Sequence, residues 1–313
     1  MKKLDQKAYC EVKNWMHRNA RALELAVWQY HFEDGSREKI VEELAYYQNE
    51  DGGFGNVLEA DCWNQESTPY TTLIAIGILR DIGAFAPADP MVQGIFRYLE
   101  NCRYCSSQGW FFSIPSNDQY PRAPWWTYNE EANALHGTGI TASLAGTVLH
   151  YADRDSELFK KAADYAKQLL DKVSTTEDLG EMGVGGIFML VGDIEQSGLS
   201  DQFDCTAAKQ RLPELVNQAI ERDVNKWNGY CMRPSECIPS PHAPAYRGNE
   251  EIVEKELDYL IETRNPGGVW NITWSWFDLG EKYGKEFAIS ENWWMATKTI
   301  EKMRFLRNFG RLS

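Results

Sequence analysis

"LAYYQNEDGGFG", residues 44–55, closes a run of helical periodicity ("IVEELAYY", 40–47) with an acidic turn in which three glycines surround one phenylalanine. Leu44 is followed four residues later by Gln48 and nine later by Gly53 and Phe54. The layout recurs. Leu99 precedes Arg103, Gly109 and Trp110, and Leu260 precedes Arg264, Gly267, Gly268 and Trp270. A weaker copy, residues 214–231, ends at Gly229 and Tyr230. Each copy is an apolar-periodic helix, a polar residue one turn after its leucine, and a glycine turn that delivers an aromatic. Glycine past a helix end takes left-handed dihedrals at little cost, and the polar side chain can bond the backbone groups left unpaired there. The aromatic is expected to clip neighbouring hairpins together.

Helix starts come after the turns: Thr68-Pro69 before "YTTLIAIGIL", Asp89-Pro90 before "MVQGIFRYL" and Ser290-Glu291 before "NWWMATKTIEKMRFL". Further helical patterns run near 4–31, 139–152, 156–172, 205–222 and 249–264, and strand-like alternation is almost absent. The expectation is an all-α chain, one domain over 1–313. It would be a ring of about six antiparallel helical hairpins, an α/α toroid with a central cavity.

The chain has 313 residues, with 32 Lys plus Arg against 46 Asp plus Glu, a net charge of −14. That balance opposes a nucleic-acid or anionic-membrane surface. No apolar run approaches the roughly 18 residues of a membrane span, so a soluble, cytoplasmic protein is expected. Seven scattered cysteines fit reduced thiols better than a disulfide framework. Cys102 and Cys105 form one C-x-x-C, which reads as packing. Aromatic residues are abundant, 12 of them Trp, and most belong to an ordinary core.

The repeat resembles that of the squalene-cyclase and protein-prenyltransferase families, which share the α/α toroid. "DGGFG" followed by "STPYTTLIAIGIL" is similar to the prenyltransferase β-subunit pattern. "YPRAPWW" (120–126), "ITASLAG" (140–146) and "VWNITWSW" (269–276) resemble a bacterial branch of the superfamily. The resemblance implies a toroid and a cavity for an isoprenoid-like ligand. The established chemistries of those families do not carry over. No D-x-D-D acid motif occurs; Asp153-Arg154-Asp155-Ser156 reads as a helix cap and Asp193-Ile194-Glu195-Gln196 as a solvated helix end. The zinc pattern of Asp, Cys two residues on and a distant His is missing. Cys231, Cys237 and His242, spaced C-x5-C-x4-H, match no tight ligand pattern, and no metal or cofactor is expected.

There remains a set of loops rich in acids and indoles. "EADCWNQES" offers Asp61, Trp63 and Glu66; "APWWTYNEEANALHGTG" offers Trp125, Trp126, Glu130, Glu131 and His136, the last just before a helix; "VWNITWSWFDLGEKYG" adds Trp270, Trp274, Trp276 and Asp278. Gathered at one mouth of a ring, they would form an aromatic pocket with carboxylates as acid and base for a small-molecule ligand. Indole faces stabilise carbocations, the cyclase logic, but they also stack on sugars beside paired carboxylates, the glycosidase logic. A third possibility is a non-catalytic scaffold whose tryptophans plug the ring. His136 reads as a general base or as a residue bonding a helix end, and His17, His31 and His150 as structural.

Overall fold

The computed structural model describes residues 2–313 except 174, 176–178, 180 and 181. Among the described residues the chain is all-α apart from one two-stranded ribbon. In order the helices are α1 (Gln6–Asn19), α2 (Ala22–Phe32), α3 (Arg37–Ala45), α4 (Pro69–Asp81) and α5 (Pro90–Asn101). The ribbon strands β1 (Cys105–Ser106) and β2 (Gly109–Trp110) come next. After them stand α6 (Glu130–Tyr151), α7 (Glu157–Val173), α8 (Gly183–Gln196), α9 (Thr206–Ala219), α10 (Pro234–Cys237), α11 (Glu250–Glu262), α12 (Phe277–Lys282) and α13 (Gly284–Asn308).

The chain divides into two compact units, one of residues up to 43 together with 215–313, the other of residues 44–214. In the first, α1 and α2 share a core with α11 and α13, built on Val12, Met16, Trp28, Leu257, Leu260, Trp270, Met303 and Leu306. Leu4 pairs with Leu312, and Arg311, buried to 1% exposure, reaches Asp258 at 2.8 Å. In the second, α6 runs through the centre. Every residue from Gly137 to Leu149 is buried, and Gly139 meets Gly186 of α8 with no side chain between them.

Several helix starts stand where the residues place them. Thr68 accepts from Thr71 N at 2.9 Å with Pro69 opening α4, and Asp89 caps α5 through Met91 N at 2.8 Å. Others differ. Ser290-Glu291 is no start: Ser290 lies fully buried inside α13. The 4–31 pattern is two helices, because Ala20 and Arg21 are extended. Helix α6 begins at Glu130 rather than 139, so His136 lies inside it. Helix α8 has no counterpart in the periodic reading, since four glycines in fourteen residues weaken the helical signal.

The turn after Leu44 and the turn after Leu260 match position by position. Leu44, Gln48, Gly52 and Phe54 correspond to Leu260, Arg264, Gly268 and Trp270. Gln48 Nε2 donates to the Gly52 carbonyl at 2.9 Å and to Met91 O at 3.0 Å; Arg264 donates to the Gly268 carbonyl at 3.3 Å and to Glu11 at 3.2 Å. Asn49 N bonds Gly53 O at 2.9 Å, and Asn265 N bonds Val269 O at 2.7 Å. Gly52 and Gly268 have φ of 93° and 85°, the left-handed region the turn demands. The aromatic closes its own helix end: Trp270 Nε1 donates to Leu260 O at 2.9 Å and Trp110 Nε1 to Leu99 O at 3.4 Å. The copy at 99–110 is one residue longer. The extra length becomes the β1–β2 ribbon, and Arg103 turns to Glu66 instead of the turn carbonyl. In the weakest copy Tyr230 stays exposed, and the buried aromatic is Trp227, which donates to Glu221 O at 2.9 Å.

Asp193 is no solvated helix end. It is 1% exposed, accepts from Arg80 at 2.6 and 2.8 Å, and meets His150 at 3.1 Å, so α4, α6 and α8 are tied through one carboxylate. In the 153–156 string it is Ser156 that caps α7, accepting from Phe159 N at 3.1 Å, while Asp153 accepts from Asp155 N at 3.0 Å in the turn before the helix.

Candidate functional site

The loop that leaves the first turn, residues 55–68, is held in place along most of its length. Asn56 and Val57 both have positive φ, 53° and 64°. For a β-branched residue that conformation is an outlier, kept only where the surroundings over-determine it. Here they do. Asn56 N bonds Gln65 O at 3.3 Å, while Asp61 O accepts from Ala123 N at 2.8 Å and Trp63 N donates to Pro121 O at 2.9 Å. Asn64 Nδ2 donates to Ser116 Oγ at 2.9 Å and Asn117 Oδ1 at 2.8 Å. The loop thereby buries two acids, Glu59 and Asp61, with Glu59 Oε1 accepting from Asp61 N at 3.0 Å. Burial pushes the adjacent Cys62 thiol up to about 12, and the two carboxylates add to the effect.

An aromatic wall stands against this loop. Phe112 stacks on Trp126 at 4.5 Å, Tyr70 tilts onto Trp126 at 4.5 Å, and His136 meets Phe112 at 5.3 Å. Between the wall and the side chains of Glu59, Asn64 and Asn117 lies a cavity of about 10 Å³. That is the volume of roughly one water molecule. Among the described residues, Ser113 Oγ and Trp126 Nε1 are buried without a hydrogen-bond partner.

A much larger groove, about 900 Å³, is lined by the first turn, the end of α5 and the start of the ribbon. Asn49, Asp51, Glu66, Arg97, Asn101 and Arg103 line it together with three tyrosines, Tyr98, Tyr104 and Tyr120. Glu66 Oε2 accepts from Tyr104 Oη at 3.0 Å and Arg103 at 3.1 Å. Asp51 Oδ1 accepts from Ser67 Oγ at 2.7 Å and Gly53 N at 2.9 Å. Both carboxylates are thus oriented by neighbours while remaining on the groove. Cys102 also lines it, its thiol raised by burial, and Cys105 Sγ donates to Cys102 O at 3.1 Å.

The residues expected from the sequence are distributed unevenly. Trp126 lines the small cavity, His136 meets Phe112 of the same wall, and Asp61 lies buried in the loop beside it; Glu66 reaches the groove; Trp63 is half-buried and Trp125 exposed. Glu130 and Glu131 do not aim into a pocket. They are exposed in the first turn of α6 behind the Asn129 cap, where acids oppose the positive helix end. Asp278 is likewise exposed, in the first turn of α12. Trp270, Trp274 and Trp276 belong to the other unit: Trp270 is core, Trp274 meets Trp294 edge-on at 5.3 Å, and Trp276 meets Phe287 at 5.6 Å. Trp294 and Phe287 lie seven residues apart on α13, so the alternation at 274 and 276 serves helix packing. Cys237 packs on that core, burial raising its thiol to about 11, and Cys231 stays half-exposed. Among the described residues no three His, Cys, Asp or Glu side chains gather as a metal-ligand set.

Asp51, Asn49 and Arg97 escape the sequence reading. Their only signal is the turn itself, whose Asn and Asp read as local structure. Comparison with protein-family models, curated proteins and solved structures finds no match to this chain.

Proposed function

We propose that the chain binds a small, hydroxyl-rich ligand of the saccharide type in the groove beside the first turn. This reading is carried by size and side-chain chemistry: a groove of about 900 Å³ lined by amide, guanidinium and tyrosine side chains, against an aromatic-walled cavity of about 10 Å³. Amide and guanidinium side chains offer hydrogen bonds to hydroxyl groups, and tyrosine rings offer faces for a sugar ring. Asp51 and Glu66 supply the two carboxylates that glycosidic chemistry uses as acid and base, which makes a carbohydrate-active enzyme the catalytic form of this proposal. The isoprenoid-like reading rests on the Tyr70, Phe112, Trp126 and His136 group beside the buried acids, and a cavity of that size would have to open to admit such a ligand. Closure of the repeated hairpins into an α/α ring is part of the same proposal, supported by the turn repeated in both units. A membrane role draws no support: among the described residues no helix is long and apolar enough to cross a bilayer.

A thermal-shift screen of the purified chain against oligosaccharides, neutral polyprenes and prenyl diphosphates tests the choice, because a ligand of the native state raises Tm by mass action. A shift with oligosaccharides that Glu66→Gln or Arg97→Ala abolishes is the expected result. A shift with polyprenes alone overturns it in favour of the aromatic cavity, and no shift with any class supports the scaffold.

A further inference from the structure

The junction of α5 and the ribbon carries two thiols, Cys102 and Cys105. Cys102 follows the last residue of α5, is 7% exposed and lines the groove. Cys105 opens β1 opposite Trp110 and is half-buried. Its Sγ stands 3.1 Å from the carbonyl oxygen of Cys102, and that oxygen is two bonds from the Cα that bears the second thiol. From the other side Lys161 of α7 brings its Nζ to 3.2 Å from the Cys105 sulfur. The ammonium also lies 5.3 Å from the centroid of the Trp110 ring, and among the described residues no carboxylate pairs with it. Tyr165, one turn further along α7, packs edge-on against Trp110 at 5.0 Å and donates to Ser106 O at 2.6 Å, which fixes α7 against the ribbon.

This arrangement differs from a cysteine packed in a core. Of the seven cysteines, Cys105 is the one that accepts from a cation among the described residues. The thiolate, not the thiol, is the nucleophile, and a cation at the sulfur assists the charged form. A second thiol within reach then converts the first oxidation product, a sulfenic acid, into a disulfide. Burial pushes the Cys102 thiol up, with a hydrogen bond from Tyr98 opposing it, so Cys102 suits the second step better than the first.

We propose that Cys105 and Cys102 form a hydroperoxide-reactive pair, in which Cys105 attacks, Lys161 holds its sulfur as an anion and Cys102 resolves. The Cys105 thiolate forms an S–O bond to one peroxide oxygen as the O–O bond breaks, leaving a sulfenic acid and hydroxide. The Cys102 thiolate then forms the S–S bond, the S–O bond breaks and a second hydroxide leaves. The two thiol protons end on the two hydroxides. Two thiols are thereby oxidised to one disulfide while one hydrogen peroxide is reduced to two waters. The ring so closed contains Arg103 and Tyr104, the residues that hold Glu66 at the groove. The inference does not depend on what the groove binds.

The experiment treats the reduced full chain with equimolar hydrogen peroxide, blocks the remaining thiols with N-ethylmaleimide at successive times and maps the peptides by mass spectrometry. Trypsin cleaves after Arg103, so a Cys102–Cys105 disulfide shows as two linked peptides. The expected result is that linked pair, formed about tenfold or more faster than the exposed Cys10 is oxidised. Lys161→Met should slow its formation by about five- to tenfold, and Lys161→Arg, which keeps the charge, should stay within about twofold of the parent. In Cys102→Ser, dimedone should trap a sulfenic acid at Cys105. Oxidation of Cys105 no faster than that of Cys10 overturns the proposal, as does a disulfide from Cys105 to any other cysteine. So does a Lys161→Met rate equal to the parent's, or a Lys161→Arg as slow as Lys161→Met. Cys102→Ser exchanges only sulfur for oxygen, so the trapped acid at Cys105, present or absent, carries the test if Lys161→Met fails to fold.

Discussion

The turns at 44–54 and 260–270 share one backbone solution, yet they hand the chain to different tasks. After the first, Asn56 and Val57 enter the left-handed region and the chain folds into a loop that buries Glu59 and Asp61 and borders the large groove. After the second, an extended stretch lays Trp274 and Trp276 along α13. The repeated motif is therefore shared helix-ending hardware, and the two copies differ in the segments they lead into. Both units pair buried charges, Asp193 with Arg80 and His150 in the unit of 44–214 and Arg311 with Asp258 in the unit of the end segments, but Lys302 of the latter has no hydrogen-bond acceptor among the described residues.

The largest test of that contrast breaks the satisfied cluster. Asp193→Ala strands Arg80 in a half-buried site and should cost about 3–5 kcal/mol in chemical denaturation, the usual penalty for splitting a buried pair. A cost under about 1 kcal/mol would show that the cluster does not tie α4, α6 and α8 together.

Next come the turn glycines. A Cβ on Gly52 would lie 2.1 Å from the Gly94 carbonyl oxygen, a backbone atom, while one on Gly268 would meet Glu11 Cβ at 3.0 Å. Both substitutions carry the left-handed cost of about 1–2 kcal/mol, and only Gly52→Ala adds a backbone clash, for a total of roughly 3 kcal/mol or more. Equal losses would mean that the two turns are constrained alike after all.

Lys302→Met examines the unsatisfied charge through pH. The folded amine sits at about 7, below its ordinary 10.5, so between those values the unfolded chain binds more protons and stability rises with pH. The destabilisation is fully present below pH 7 and fades towards 10.5. Lys302→Met should accordingly gain up to about 4 kcal/mol over the parent near neutrality, a gain that shrinks as pH rises. A pH-independent difference would contradict a depressed amine.

The smallest effect compares the polar residues of the two turns. Gln48→Ala removes donors from two backbone carbonyls and should cost about 1–2 kcal/mol. Arg264→Ala should cost under about 1 kcal/mol, because Arg264 donates at longer distances and is partly exposed. The reverse order would make the arginine copy the tighter turn.

The sequence by itself determined the helical class, the caps at Thr68 and Asp89, and the turns, because periodicity, capping and left-handed glycine depend on residues within a few positions of one another. Asp61, Glu66 and Trp126 were legible as candidates since acids and indoles outside a helical face stand out. Glu130, Glu131 and Asp278 misled for the same local reason: an acid in a loop and an acid opening a helix look alike until the helix start is known. Only the tertiary structure decided that Asp193 is buried against Arg80, 113 residues away, that Asp51 and Arg97 share a groove, and that Lys302, among the described residues, is an amine left without an acceptor. Each depends on which distant side chains remove water from a charge, and burial of that kind is a property of packing, not of neighbours in the chain.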